Sequence, residues 1–283
     1  MTGYDEMIAD LPMYDWPGIR AATDAFWAEV ARRLEERGIE APAALARNPD
    51  VAASWRDPDL LLGQTCGMPF VSGHCGEARI VARPDYGLPE ASGGFYRSAI
   101  IVRAEEAAAT DAALGPEAVL AQQGRRVAIN EWRSFSGHVT LRAYLAGLRG
   151  GARDPFFGAV VTSGRHIESA RMVARGEADL AALDGVAWVL LQAHEPETAE
   201  RLAVLDMTAP APALPFIAAP RFAAIRAGLA EALAGAAVSL PAVSGLPRGV
   251  APADDAEYAP IRAATRRAAG EAFAPGAPDV PVL

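Results

Sequence analysis

Lysine is absent from this sequence of 283 residues, so all 26 basic residues are arginines. The absence excludes mechanisms that need a side-chain amine, such as a Schiff-base lysine, a P-loop lysine or a serine–lysine dyad. The 35 acidic residues outnumber the basic ones and give a formal net charge of −9. Because contact with a phosphate backbone needs a basic surface, this balance argues against a nucleic-acid partner.

Cysteine is scarce, with Cys66 and Cys75 as the two examples. Two cysteines are too few for a disulfide scaffold, and the sequence leaves a single bridge between them open. His74 could join them at a metal, but the spacing lacks the second Cys/His pair of known zinc clusters, so we expect no metal. No glycine-rich dinucleotide motif follows the first predicted strand, and we expect a protein that works without a cofactor.

Long hydrophobic runs and an export signal are also missing from the sequence as given. The first 18 residues contain acidic residues and no basic start followed by an apolar run, which predicts a cytoplasmic protein. The alanine-rich segment 221–240 comes nearest to a membrane span. Arg226, Gly228, Glu231 and Gly235 interrupt it, so no span is expected.

The chain does contain an alternation of strand and helix patterns. Predicted strands at 126–130, 157–161 and 179–183 are each followed by a polar loop and a helical pattern, the helices covering 139–148, 167–175 and 185–191. Three successive β-α units predict an α/β fold with a mostly parallel sheet flanked by helices. Earlier apolar runs predict further strands at 7–14, 59–63, 79–82 and 95–102.

Polar loops follow the three strands of this series, at the sheet edge where α/β proteins bind ligands. The loops are Ser134-Phe135-Ser136-Gly137-His138, then Ser163 to His166, then Asp184. The first combines hydroxyls with the unpaired N–H donors of a helix start, a combination that suits an anion. Each loop also has a plainly structural reading, because serine and aspartate cap helices with or without a ligand.

Other strand ends carry aromatic and amide side chains that could line a pocket. Tyr14 and Tyr96 offer an apolar ring with a polar end, and Gln64 and Thr65 offer hydrogen-bonding groups. Ordinary packing and a helix-initiating loop explain them equally well. A hydrolase could use Ser136 with His138, His166 and Asp184, but the Gly-x-Ser-x-Gly motif is missing at every serine.

Six segments together resemble one family, the phosphonate-type (PhnD-like) substrate-binding proteins of ABC transporters. They are LPMYDWP, DPDLLLGQTCGMPF, RPDYG, GGFYRSAIIVR, INEWRSFSGHVTLRAYL and SGRHIESARMVARGEADLAALDGVAW. The last two are the most specific, because the serine loop, the Ser-Gly-x-His loop and the Gly-Glu-Ala-Asp turn occur in the family's order. The six lie between residues 11 and 188, about two-thirds of the chain.

This resemblance implies a type 2 periplasmic-binding fold, in which two α/β lobes joined by two hinge strands close over a ligand. Residues 1–98 plus 206–283 would form lobe 1, and residues 99–205 the inserted lobe 2. In phosphonate-binding members a Ser-Thr-Ser run holds the anion. Here Phe135 replaces the middle hydroxyl, so a ligand with a smaller anionic group and an apolar part fits as well as a phosphonate.

The leading hypothesis is a non-enzymatic protein that captures a small anion, such as a phosphonate, a phosphate ester or a related oxyanion, between two lobes. Its partners would be the ligand and an ABC permease, its state a monomer, and its compartment the periplasm if an export signal precedes this sequence. The expected ligand-binding residues are Tyr14, Gln64, Thr65, Tyr96, Ser134, Phe135, Ser136, Gly137, His138, His166 and Asp184.

Two other functions remain as alternatives. An enzyme on the same scaffold could act on a phosphorylated or heteroaromatic small molecule, with His138 or His166 as acid and base. The effector-binding module of a regulator is the weaker alternative, because no helix-turn-helix pattern accompanies the domain.

Overall fold

The computed structural model describes residues 7–109 and 114–280. Its strands are β1 (Ile8–Asp10), β2 (Leu60–Gln64), β3 (Arg79–Asp85), β4 (Phe95–Tyr96), β5 (Ser98–Arg103), β6 (Arg126–Ile129), β7 (Ala159–Thr162), β8 (Leu180–Asp184), β9 (Leu202–Met207), β10 (Ala211–Pro212), β11 (Phe216–Ala218) and β12 (Gly249–Pro252). Two five-stranded sheets and a two-stranded sheet of β4 and β10 result.

Helices flank these sheets. They are α1 (Arg20–Glu35), α2 (Val51–Arg56), α3 (Gly67–Val71), α4 (Ala104–Ala109), α5 (Pro116–Leu120), α6 (Thr140–Arg149), α7 (His166–Ala174), α8 (Gly185–His194), α9 (Pro196–Ala199), α10 (Arg226–Ser239) and α11 (Ala259–Ala269). Short 3-10 turns cover Pro17–Ile19, Pro220–Ile225 and Asp255–Tyr258, and a π-helical turn covers Phe135–Val139. The predicted α/β fold with helix-flanked sheets is confirmed.

The chain divides into two units. Unit 1 takes the residues up to Phe95 together with Pro212–Ala259, and unit 2 takes Tyr96–Ala211 together with the chain from Pro260 onward. The first two boundaries lie three and six residues from the predicted ones. The third boundary, between Ala259 and Pro260, was not predicted, because the prediction left the whole of 206–283 in one lobe. The segment after α11 ties this part of the chain to unit 2: Phe273 and Ala274 belong to the buried core of that unit, and the N–H groups of Phe156 and Phe157 bond to the carbonyls of Ala272 and Phe273.

The sheet of unit 1 has the strand order β1-β2-β11-β3-β12. All five residues of β2 are buried, as expected for a strand covered on both faces. The first helix, α1, ends shortly before Gly38: the N–H of Gly38 bonds to the Glu35 carbonyl, and that of Ile39 bonds to the Leu34 carbonyl. Gly38 adopts a φ of +71°, which glycine takes at no steric cost.

One described helical stretch, Pro220–Ser239, is long and apolar enough to cross a membrane by length and composition, which for a single helix is weak evidence. It contains the segment for which the sequence predicts no span. Leu229, Leu233 and Ala236 are buried, and α10 packs against α1, β3 and β12. This packing is that of a core helix in unit 1.

The sheet of unit 2 has the strand order β7-β6-β8-β5-β9. Strand β6 runs parallel to both β7 and β8, so the predicted series of three β-α units is confirmed. Strand β5 runs antiparallel to β8 and β9. One prediction is corrected: the run 95–102 is two strands, β4 and β5, with Arg97 between them.

Candidate functional site

The carboxyl end of β6 leads into the most unusual backbone of unit 2, the π-helical turn Phe135–Val139. In this turn the N–H of Val139 donates to the carbonyl of Ser134, five residues earlier, at 3.1 Å. The N–H groups of Phe135 and Ser136 form no hydrogen bond with the described residues. Short π-helical turns are frequent at functional sites, and this one leaves free donors at its start.

Two buried hydroxyls flank these donors. The Ser134 Oγ accepts a hydrogen bond from the N–H of Gly137 at 3.0 Å, so Ser134 caps the turn and keeps its own O–H to donate. The Ser136 Oγ shares a hydrogen bond of 2.9 Å with the Nε2 of His166. The structure therefore brings Ser134, Ser136 and His166 together, whereas the N–H of Gly137 already has a partner.

Position 137 has no room for a side chain while Asn130 and His166 keep their positions. A Cβ on Gly137 would lie 1.9 Å from the Asn130 Oδ1 and 3.2 Å from the His166 Cε1. The Asn130 Oδ1 is buried and has no hydrogen-bond partner among the described residues. Sequence reasoning did not include Asn130 in the site, although its place directly after β6, at the ligand-binding edge of the sheet, is the signal that could have identified it.

Burial changes the chemistry of both predicted histidines. It lowers the pKa of His166 to about 4 and that of His138 to about 4, so both rings are neutral at pH 7. The His138 ring lies between Trp132 and Phe273, and its Nδ1 bonds to the Trp132 carbonyl at 2.8 Å. The side chain of His138 is part of the core, and only its neighbours in the turn are placed to meet an anion.

Asp184 has the capping role that the sequence left open. At the end of β8 its carboxylate accepts hydrogen bonds from the N–H groups of Val186 at 2.8 Å and Ala187 at 3.3 Å. The side chain is 1% exposed. Tyr96, on β4, is 2% exposed.

The predicted residues of unit 1 are engaged with their own unit. The Gln64 Nε2 donates to the Tyr86 hydroxyl at 2.9 Å, and the rings of Tyr14 and Tyr86 meet edge to face at 5.3 Å. The Thr65 hydroxyl bonds to the Cys66 carbonyl at 3.2 Å and contacts the Cys75 sulfur at 3.4 Å. The cavity beside Tyr14 and Gln64 measures about 20 Å³, room for one water molecule.

Cys66 and Cys75 form no disulfide, so the bridge that the sequence left open is not present. Burial raises the pKa of the Cys75 thiol to about 11. Within residues 7–109 and 114–280 there is no group of three or more His, Cys, Asp or Glu side chains that could hold a metal ion.

A family model matches residues 11–264, and it describes the periplasmic substrate-binding protein of a phosphonate ABC transporter. No match was found among curated protein sequences.

Solved structures of the same fold include PhnD1 from Prochlorococcus marinus (MIT 9301) in complex with methylphosphonate, at a TM-score of 0.69 and 14% identity over 93% of this chain and 98% of that one. A binding-protein component of an ABC phosphonate transporter from Pseudomonas aeruginosa has a TM-score of 0.66 and 14% identity, over 93% of this chain and 87% of that one. XAC2383 from Xanthomonas citri, bound to ATP, has a TM-score of 0.63 and 18% identity over 93% and 96% of the two chains.

Proposed function

This chain belongs to the family of periplasmic substrate-binding proteins of phosphonate ABC transporters, and we propose that it binds a small oxyanion at the π-helical turn of unit 2. The family is the ligand-binding component of a transporter and not an enzyme, which implies a small-molecule ligand and a permease as partners. Within the same proposal the chain works as a monomer, and light scattering should give the mass of one chain.

The observation that carries the proposal is the set of donors at the start of the turn. The O–H groups of Ser134 and Ser136 and the N–H groups of Phe135 and Ser136 belong to three consecutive residues. Both hydroxyls are buried at 3% exposure, so water competes little for them. Hydrogen bonds from such donors to an anion are charge-assisted and contribute about 1.5–3 kcal/mol each.

The chemistry of His166 supports binding rather than catalysis. Its Nε2 is 2.9 Å from the Ser136 Oγ, as in a serine–histidine pair that activates a nucleophile. A general base works best with a pKa near the operating pH, and burial lowers the pKa of His166 to about 4. We assign His166 the role of orienting the Ser136 hydroxyl toward the ligand.

Phe135 reduces the number of side-chain hydroxyls that can hold the ligand. Its phenyl ring stands where phosphonate-binding members of the family have a hydroxyl residue, so the turn offers two serine hydroxyls instead of three. The proposed ligand is an oxyanion held by these two hydroxyls and the backbone, with methylphosphonate and inorganic phosphate as the first probes. PhnD1 from Prochlorococcus marinus, which has the same fold, binds methylphosphonate.

Calorimetry with both probes tests the proposal on the wild type, Ser136→Ala and Ser169→Ala. Ser169 is the matched control: its hydroxyl is buried in α7, which also carries His166, and bonds to the Ser163 Oγ at 2.7 Å. We expect Ser136→Ala to weaken binding about tenfold or more and Ser169→Ala to change it less than twofold. Unchanged affinity in Ser136→Ala, or no binding of either anion to the wild type, would overturn the proposal.

A further inference from the structure

Unit 2 contains a second cavity, of about 240 Å³, that the oxyanion proposal does not use. The volume equals that of roughly eight water molecules at liquid density. Every residue that lines the cavity belongs to unit 2, and none of Ser134, Ser136, Gly137 and His166 is among them.

The cavity has a buried floor and an exposed rim. The floor includes Phe135, Thr140 and Ala143, which share one face of the π-helical turn and α6. The rim includes Pro260 and Arg267, both exposed, at the two ends of α11. An apolar floor with a few polar groups at defined places is the usual composition of a small-molecule site.

Charge defines which molecule would fit. Arg267 is the cation among the lining residues, and it has no acidic partner within 4 Å in the described part of the chain. The Tyr144 hydroxyl, also at the cavity, donates to the Asp206 carboxylate, and burial together with Asp206 raises the tyrosine's pKa, so it stays neutral. Arg267 is therefore the group on the lining with which a carboxylate can pair, and a planar guanidinium matches a carboxylate in geometry.

Size and shape limit the rest of the ligand. Aromatic rings of Phe135 and Tyr144 and the methyl groups of Ala143 and Ala263 supply flat apolar walls. A ring with one carboxylate, such as benzoate with nine non-hydrogen atoms, is small enough for about 240 Å³.

We propose that this cavity is a second binding site, for a small aromatic monocarboxylate whose ring contacts Phe135 and whose carboxylate pairs with Arg267. The site is distinct from the oxyanion turn but adjoins it through Phe135, which lies in the sequence between Ser134 and Ser136.

The probe for this site is 4-fluorobenzoate, followed by fluorine NMR on the whole chain. We expect saturable binding to the wild type and a tenfold or larger loss in Arg267→Ala. The matched control is Arg266→Ala, which removes the neighbouring exposed arginine of α11 but none of the lining. A second variant, Ala263→Phe, fills the cavity without changing charge and should abolish binding, with melting temperatures confirming that each variant is folded.

Three results would overturn this site: no saturable binding to the wild type, an equal loss in Arg266→Ala and Arg267→Ala, or displacement of the probe by methylphosphonate. The third result would place the probe at the oxyanion turn. Ser136→Ala separates the two proposals, since it should weaken methylphosphonate binding and leave 4-fluorobenzoate binding unchanged. Failure of one site therefore leaves the test of the other intact.

Discussion

The two units use similar polar residues at strand ends in different ways. In unit 1, Gln64 is the last residue of the buried strand β2 and Thr65 follows it, and hydrogen bonds within the unit account for both side chains. In unit 2, the chain after β6 leaves backbone donors without partners beside two buried serine hydroxyls. A polar residue at a strand end thus indicates a ligand only where the surrounding backbone leaves its donors unsatisfied.

Cavity volume repeats this difference. The cavity of unit 1 beside Tyr14 measures about 20 Å³, whereas that of unit 2 beside Phe135 measures about 240 Å³. The cavity of unit 1 has room for one water molecule, whereas that of unit 2 has room for a small ligand. The larger cavity lies next to the π-helical turn, where the backbone departs from regular helix.

The largest expected effect comes from Gly137→Ala, which changes the π-helical turn that distinguishes unit 2 from unit 1. The new methyl group would lie 1.9 Å from the Asn130 Oδ1, so the Asn130 amide and the His166 ring must move. We expect a loss of about 3 kcal/mol in the free energy of unfolding, measured by urea titration, and loss of oxyanion binding in calorimetry.

Gly147→Ala is the control for this variant, because nothing lies within 4 Å of a Cβ at Gly147 of α6. Alanine exceeds glycine in helix propensity by up to about 1 kcal/mol, so this variant should be slightly more stable and bind normally. Equal behaviour of the two variants would show that the turn imposes no special requirement at position 137.

Much of the fold could be predicted from apolar runs and the polar loops behind them. Strands β6, β7 and β8 were expected within two residues of their observed ends because each is a short apolar run followed by a helical pattern. The unit to which α11 belongs could not be predicted. An amphipathic pattern shows that a face is buried, but the surface that buries it depends on the tertiary fold.

The candidate site was predictable in part. The hydroxyls of Ser134 and Ser136 stand out in sequence, but the π-helical turn does not, because no residue pattern distinguishes a bond from Val139 to the Ser134 carbonyl from the bonds of an ordinary helix start. The core position of His138 could not be predicted from the sequence either. It depends on packing against Phe273, which lies 135 residues further along the chain.

Lowering the pH should destabilise unit 2 before unit 1, because the described histidines with lowered pKa values, His138 and His166, both lie in unit 2. An unfolded histidine titrates near 6.5 and the buried His138 at about 4, so the unfolded state binds the proton first as pH falls. The contribution of the neutral His138 to the free energy of unfolding is therefore fully present above pH 6.5 and decreases as the pH falls toward 4. At pH 5 the loss is about 2 kcal/mol relative to pH 7.

Hydrogen exchange at pH 7 and pH 5, corrected for intrinsic rates, measures this loss peptide by peptide. Peptides of β6 and α6 should lose protection while those of β2 and α1 keep theirs. His138→Gln should reduce the pH dependence in unit 2, and His194→Gln, at an exposed histidine, should leave it unchanged. Loss of protection in both units to the same degree would contradict the assignment of acid sensitivity to unit 2.

The smallest expected effect belongs to Thr65→Val, which keeps the shape of a side chain that is 0% exposed and removes its hydroxyl. The hydroxyl bonds to the Cys66 carbonyl and contacts the Cys75 sulfur, so its loss should cost about 1 kcal/mol of unfolding free energy. Oxyanion affinity should stay within twofold of the wild type, in contrast to Ser136→Ala. A tenfold loss of affinity in Thr65→Val, measured by the same calorimetry, would show that Thr65 contacts the ligand. The strand ends of the two units would then no longer differ, because a hydroxyl that is hydrogen-bonded within unit 1 would also bind the ligand.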